Sequence, residues 1–478
     1  MPIEAARFIC EPLFVTDSSQ HTSRTGNDPH SRLLVERVAK ARIEDLDAAT
    51  LECARYFLAD TLAVGIAGKC NPAAEGVYAA MRDAAPAGEV ACLGRNDSKL
   101  PAHQAAVVNG FQMHCLEWDG LHEPSVVIAL CASVAALSCE IQQGEYTVGE
   151  VLLAFTVGVE TAVLFGSAAA TAPRFFRPSA AGVMGAAMAV GKLRGFSQVQ
   201  LLDQLGLAYS QAGGTMQAHW EGSEALALQV GFAARSALTA ADLVGQDVTG
   251  PHDVISGKFG YFALFETPEN LDDVLAVWGA PWKMTEVAHK PFPAGRATQA
   301  ALTAILELRA ERDFGADEVE QLVAEVPSLI ELLVSRPYVA DMSPAYARLC
   351  LQYVVARMLL DWTVDPTKFT DEYFGNPDVA GLAARIICRR DANPDPNTLG
   401  PQTITVRLKD GTDIKRFVDV PLGAPGHPLT REQRIDKIAR CFAAGQWSTD
   451  PTAFMTTCET LLLDAPADAI LDALNGDT

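Results

Sequence analysis

Apolar residues recur at spacings of three and four through most of residues 45–281, giving one helical pattern after another. Residues 51–66 are typical: Ala, Leu and aromatic positions form a continuous face, interrupted at Asp60-Thr61. No strand-like alternation competes with this pattern over the same stretch. The run Ala180-Ala181-Gly182-Val183-Met184-Gly185-Ala186-Ala187 has so little side-chain bulk that backbones can approach closely, which predicts a helix in the middle of a bundle. After Lys290 the character changes. Residues 297–309 read as an amphipathic helix, 318–327 as a strand rich in β-branched side chains, and 345–361 as another helix. Residues 403–408 alternate with period two, Lys409-Asp410-Gly411-Thr412 supplies a turn, and 413–420 returns as the second strand of a hairpin. Beyond Pro425-Gly426-His427-Pro428 the helical pattern resumes, with Thr430 as N-cap and Glu432 nearby, and runs to the C-terminus.

The predicted fold is mainly α. A large all-α domain is formed by both chain ends, residues 33–282 and 423–478, and a smaller α+β lid domain spans 283–422. Residues 1–32 are expected to be a flexible tail, because residues 16–31 are polar and carry no hydrophobic periodicity. A cleft between two such domains is the expected place for a small-molecule site.

Composition narrows the function classes. The 478 residues are 49% hydrophobic and 20% charged, enough apolar content for a large core. A formal net charge of −22, with no run of Lys and Arg, argues against a nucleic-acid partner. Eleven scattered cysteines show no CxxC and no zinc-type Cys/His spacing, so they read as reduced core residues of a cytoplasmic protein. The start, Met1-Pro2-Ile3-Glu4-Ala5, lacks the basic and apolar regions of a signal peptide. The stretch 151–170 carries Glu160, which favours a buried helix over a membrane span. GxGxxG after a strand, a P-loop, HExxH and GxSxG are all absent, so no cofactor, metal or serine nucleophile is predicted.

The segment Lys290-Pro291-Phe292-Pro293-Ala294-Gly295-Arg296 places a lysine beside a proline-stiffened turn at the end of the long helical region. An ammonium there can hold a substrate carboxylate. Sufficiently desolvated, the same amine can instead take a proton from the adjacent carbon.

Several segments in order resemble the MmgE/PrpD family. They are Ala59-Asp60-Thr61-Leu62-Ala63, Val108-Asn109-Gly110, Glu117-Trp118-Asp119-Gly120-Leu121-His122-Glu123-Pro124-Ser125, Phe176-Arg177-Pro178-Ser179, Gly231-Phe232-Ala233-Ala234-Arg235, Thr249-Gly250-Pro251, Lys290-Pro291-Phe292-Pro293 and Ser335-Arg336-Pro337-Tyr338. The resemblance implies an all-α domain with an α+β lid, usually in a homodimer. It also implies cofactor-independent chemistry on small carboxylic acids, through loss of a proton or of carbon dioxide next to a carboxylate.

On this resemblance Lys290 matches a pocket lysine, and His122, in a segment that is shortened here, corresponds to the family's usual histidine or to a neighbour one turn earlier, which makes it a candidate general acid or base. Glu117 and Asp119 stand at acidic positions that orient His122 or a substrate amine or hydroxyl. Arg177 replaces a family histidine; its guanidinium stays protonated and can bind a carboxylate two-pronged. Tyr338 matches a pocket tyrosine, and Arg296 is a further anion contact. His219 crowds a loop with Glu221 and Glu224, facing either an amine-bearing substrate or solvent. A second family lysine is missing, with Leu226 in its place, and a second histidine is replaced by Gly295 or Gln299. These losses count against the decarboxylase and against a tricarboxylate. The expected activity is a lyase of the dehydratase type, with Lys290 and His122 as the reacting pair. An epimerase or isomerase using two proton carriers, and a binding homologue without catalysis, are the alternatives.

Overall fold

The computed structural model describes residues 27–95, 99–171, 173–395 and 398–476. It is mainly α. The first helix, Pro29–Lys40, begins inside the segment expected as a flexible tail, because Asp28 caps it and ties it down. Asp28 accepts hydrogen bonds from the backbone of His30, Ile255 and Ser256. Residues 1–26 of the expected tail, and with them Cys10, lie outside the described residues.

Two hydrophobic clusters organise the chain. The larger draws on residues from Leu34 to Val287, on Leu349, and again from Ile438 to Leu474; the smaller runs from Phe292 to Val418. Within the larger cluster, Ala48–Ala67 is one uninterrupted helix. The Asp60-Thr61 pair that breaks its hydrophobic pattern is buried, and Asp60 meets Lys437 of the helix Arg431–Ala444 at 2.7 Å. That late helix starts at Thr430 in a capping box, closed by Gln433 rather than Glu432. The small-residue helix Gly182–Leu193 is buried as expected. A Cβ on Gly185 would lie 2.4 Å from the carbonyl oxygen of Gly158, so the two backbones are in contact. The apolar helix Val148–Ser167 has 94% of its most hydrophobic window covered by the rest of the protein. Its Glu160 accepts hydrogen bonds from the backbone N–H groups of Gly279 and Lys283.

The smaller cluster surrounds a four-stranded sheet in the order Ile386–Arg390, Val319–Val326, Gln402–Leu408, Asp413–Val418. The first pair is parallel and the others antiparallel. The predicted hairpin forms, and Gly411, at φ 84°, takes the left-handed position that its Asp-Gly turn requires. The expected helix over 345–361 is broken into Pro344–Arg348 and Leu351–Asp361. Two very short strand pairs also occur, Val90–Ala91 with Lys99–Leu100 and Leu121–His122 with Val287–Ala288, three of these four strands lying where only helix was expected. The second pair joins the segment following the helix Ala102–His114 to the one leading into Lys290.

Candidate active site

The helix Ala102–His114 ends in a turn in which the N–H of Glu117 donates to the carbonyl of His114 at 2.9 Å. Glu117 itself sits at φ 51°, a left-handed conformation that a non-glycine residue adopts only where its surroundings fix it. The turn sends Glu117 and Asp119 to Lys290. The Lys290 ammonium donates to Glu117 Oε2 at 2.9 Å and to Asp119 Oδ1 at 3.4 Å. His114 donates from Nδ1 to Asp119 Oδ2 at 2.9 Å, and its Nε2 lies 3.5 Å from Glu117 Oε1 with no hydrogen-bond partner among the described residues. The Cys131 thiol donates to Asp119 Oδ2 at 3.1 Å. All five side chains are buried.

The electrostatics of the quartet Lys290, Glu117, Asp119 and His114 follow from its charges. Burial works against the Lys290 ammonium, but Glu117 and Asp119 outweigh it and hold its pKa above the ordinary lysine value. Burial likewise opposes both carboxylates, and Lys290 and His114 overcome it, so Glu117 and Asp119 lie below the usual range. His114 is raised, the two carboxylates prevailing over its desolvation. Lys290 is therefore a held cation and not the neutral amine a general base would need. His114, Glu117 and Asp119 also offer three ligand atoms within 4.8 Å of one another. A metal ion there would have to displace Lys290, which already donates to both carboxylates.

A cavity of about 90 Å³ opens beside the quartet, and Glu117, Lys290, Arg177, Arg296 and His219 contribute its polar wall. Arg296 donates from Nε to Glu123 and from Nη1 to the carbonyls of His289 (3.0 Å) and Leu422 (3.4 Å). Its Nη2 is buried and has no hydrogen-bond partner among the described residues. His219 is buried, and desolvation with the nearby Arg336 pushes its pKa down to about 4, so it is neutral.

Three expected site residues are placed otherwise. His122 does not line the cavity. Its Nδ1 accepts from Ser125 (Oγ at 2.8 Å, N at 3.3 Å) and its Nε2 donates to Glu286 at 3.2 Å, so both ring nitrogens are committed. Arg177 reaches the cavity wall, but its Nε and Nη2 grip both oxygens of Glu266 at 2.7 and 3.3 Å. Its remaining bonds go to the carbonyls of Ser125 and Thr171 at 3.0 and 2.6 Å, leaving no fork for a substrate. Tyr338 donates to the carbonyl of Phe374 and does not line the cavity. Gln299 bonds the backbone of Phe292 and Ala294, while Gly295 lines the cavity. Leu226 is buried beside His114 and Glu117, lining a smaller space with Glu224.

Sequence reasoning missed His114, which stands at a helix end three residues before Glu117 and five before Asp119. That spacing is the signal that would have found it. It also missed Lys437, whose ammonium donates to the Trp118 carbonyl at 2.9 Å. No local pattern marks that contact, since 319 residues separate the pair.

Residues 32–273 match the MmgE/PrpD N-terminal domain and residues 292–448 the MmgE/PrpD C-terminal domain. The chain is 30% identical to the cis-aconitate decarboxylase of Mus musculus over 362 residues, which is 72% of each chain. It is 30% identical to the cis-aconitate decarboxylase of Homo sapiens over 363 residues, 72% of this chain and 73% of the other. A probable 2-methylcitrate dehydratase of Saccharomyces cerevisiae is 29% identical over 101 residues, 20% of this chain and 19% of that one. Decarboxylase and dehydratase are both lyase-type activities. Matched over both of its parts, the chain belongs to the MmgE/PrpD family.

Proposed function

We propose that this protein is a cofactor-independent lyase acting on a small carboxylic acid at the carbon next to a carboxylate. The observation that carries this reading is the buried Lys290 ammonium, held by Glu117 and Asp119 on the wall of a cavity that Arg296, with an unpartnered Nη2, also lines. These two cations sit where a substrate carboxylate can be held in a water-poor space. They stabilise the charge that develops on its oxygens when the neighbouring carbon loses a proton. Glu117, the carboxylate lining the cavity, takes that proton, and His114 Nε2 beside its other oxygen buffers the charge. In a dehydration the carbon–oxygen bond then breaks, a proton from Lys290 leaves with the hydroxide as water, and a carbon–carbon double bond remains.

The likeness to cis-aconitate decarboxylases over 72% of each chain favours a second reading, loss of carbon dioxide from the same anchored acid. Here the electron pair of the broken carbon–carbon bond is protonated in place of the proton abstraction. The missing lysine at Leu226 weighs against it. Incubating the purified protein in deuterated water with a panel of hydroxy acids and unsaturated acids separates the outcomes. An alkene formed with release of water supports dehydration. Carbon dioxide with one deuterium fixed in the product supports decarboxylation. Deuterium exchange with neither product would replace both with an epimerase or isomerase.

A further inference from the structure

We infer that the cavity is built for an acid carrying one carboxylate and an apolar substituent. This rests on the reading above that the cavity takes the substrate. Each cation in its lining is already paired. Lys290 faces Glu117 and Asp119, Arg177 faces Glu266, and Arg296 faces Glu123. Those three cations meet four carboxylates, and a protonated His114 would only bring the set to balance. His219 is neutral and Leu226 supplies no charge. A tricarboxylate would bring three negative charges into a desolvated space whose lining holds no surplus of cations, since Arg336 lies outside the lining and donates to the His219 carbonyl at 3.0 Å, and this is strongly unfavourable. A single carboxylate, by contrast, can be met by Arg296, whose Nη2 has no partner among the described residues, and by the Lys290 ammonium.

The rest of the lining makes the complementary point. Leu121, Ile128, Phe176, Met216, Val334 and Leu349 form the wall opposite these groups in composition, with no hydrogen-bonding side chain among them. Apolar wall of this kind rewards methyl and methylene groups and cannot solvate a second or third carboxylate. Gly295 marks how closely the wall is drawn, since a Cβ there would lie 2.7 Å from Leu349 Cδ2.

The test is titration calorimetry of the full chain with 4-methylpentanoate, glutarate and propane-1,2,3-tricarboxylate. The monocarboxylate is expected to bind at least roughly tenfold more tightly than the tricarboxylate, a discrimination that an apolar pocket readily gives. The Met216→Lys variant adds a cation at a half-buried position and is expected to shrink that preference about tenfold, with its melting temperature confirming the fold. Tighter binding of the tricarboxylate to the unaltered protein would overturn this inference while leaving the carboxylate-binding reading in place. If none of the three binds, the cavity is not a carboxylate site, and both readings fall together.

Discussion

The ammonium of Lys437 donates at 2.9 Å to the carbonyl of Trp118, the residue between the two carboxylates that hold Lys290. The same ammonium pairs with Asp60 at 2.7 Å, so the last third of the chain fixes the turn on which Glu117 and Asp119 stand. Arg440, one turn later, donates to the carbonyl of Pro291 at 3.2 Å, next to Lys290. Trp118 Nε1 donates to that same carbonyl at 3.2 Å. Both halves of the quartet are thus held from the helix Arg431–Ala444, which touches no part of the cavity itself.

A Lys437→Met variant leaves Asp60 buried without its partner and is expected to lose about 3–5 kcal/mol in urea unfolding. Adding Asp60→Leu removes the stranded charge and should return most of that loss. Turnover should stay depressed in the double variant, because the Trp118 carbonyl remains untethered and Glu117 is no longer held at its left-handed φ. Full recovery of kcat together with stability would show that Lys437 serves the fold alone.

Lys290 carries the chemistry in a different way. Replacing it with Met removes the cation from the carboxylate-binding wall, and turnover of the best acid in the panel should fall roughly 10²- to 10³-fold. Lys290→Arg keeps the charge, so its Tm should stay closer to that of the unaltered protein than Lys290→Met does. Steady-state kinetics beside melting curves for both variants check this; unchanged kcat/KM in a folded Lys290→Met protein would remove this lysine from the mechanism.

Arg177 was a natural candidate for an anion anchor on sequence grounds, and its contacts make it a structural clasp. Arg177→Met should destabilise the protein by about 3–5 kcal/mol through the buried Glu266 it strands. The double variant with Glu266→Leu should regain most of that. If Arg177 instead bound substrate, the double variant would show a KM raised tenfold or more despite restored stability. Chemical unfolding and KM on the same preparations separate the two roles.

What the sequence made legible is what is encoded locally. The hairpin of residues 403–418 was readable because alternation and an Asp-Gly turn lie within a few residues of each other. The helix caps at Thr430 and the close-packed small-residue helix were readable for the same reason. Asp60 looked like an interruption and Arg177 like a free cation because their partners, Lys437 and Glu266, lie 377 and 89 residues away. A one-dimensional pattern shows what a side chain can do and not which opposite charge folding brings to it. His122, expected in the reacting pair, is likewise committed by a distant partner, and His114 carries no local mark that sets it apart. Both are buried histidines near the acidic pair, and only the pairing of Leu121–His122 with Val287–Ala288 turns His122 towards Glu286.

His219 supplies a signature in acid. Burial and Arg336 depress its pKa from 6.5 to about 4, so the folded protein binds a proton there less readily than the unfolded chain. The sign follows: the contribution is fully present above about pH 6.5, falls as the pH drops below it, and is gone near pH 4. At about 1.4 kcal/mol per pH unit the window is worth about 3 kcal/mol. A His219→Gln variant, which cannot titrate, should therefore lose less stability than the unaltered protein between pH 6.5 and 4.5. Urea midpoints measured across that range at constant ionic strength read the difference in slope. Parallel slopes would mean that the imidazole reaches water and protonates freely, and the cavity would then be wetter than its apolar wall implies.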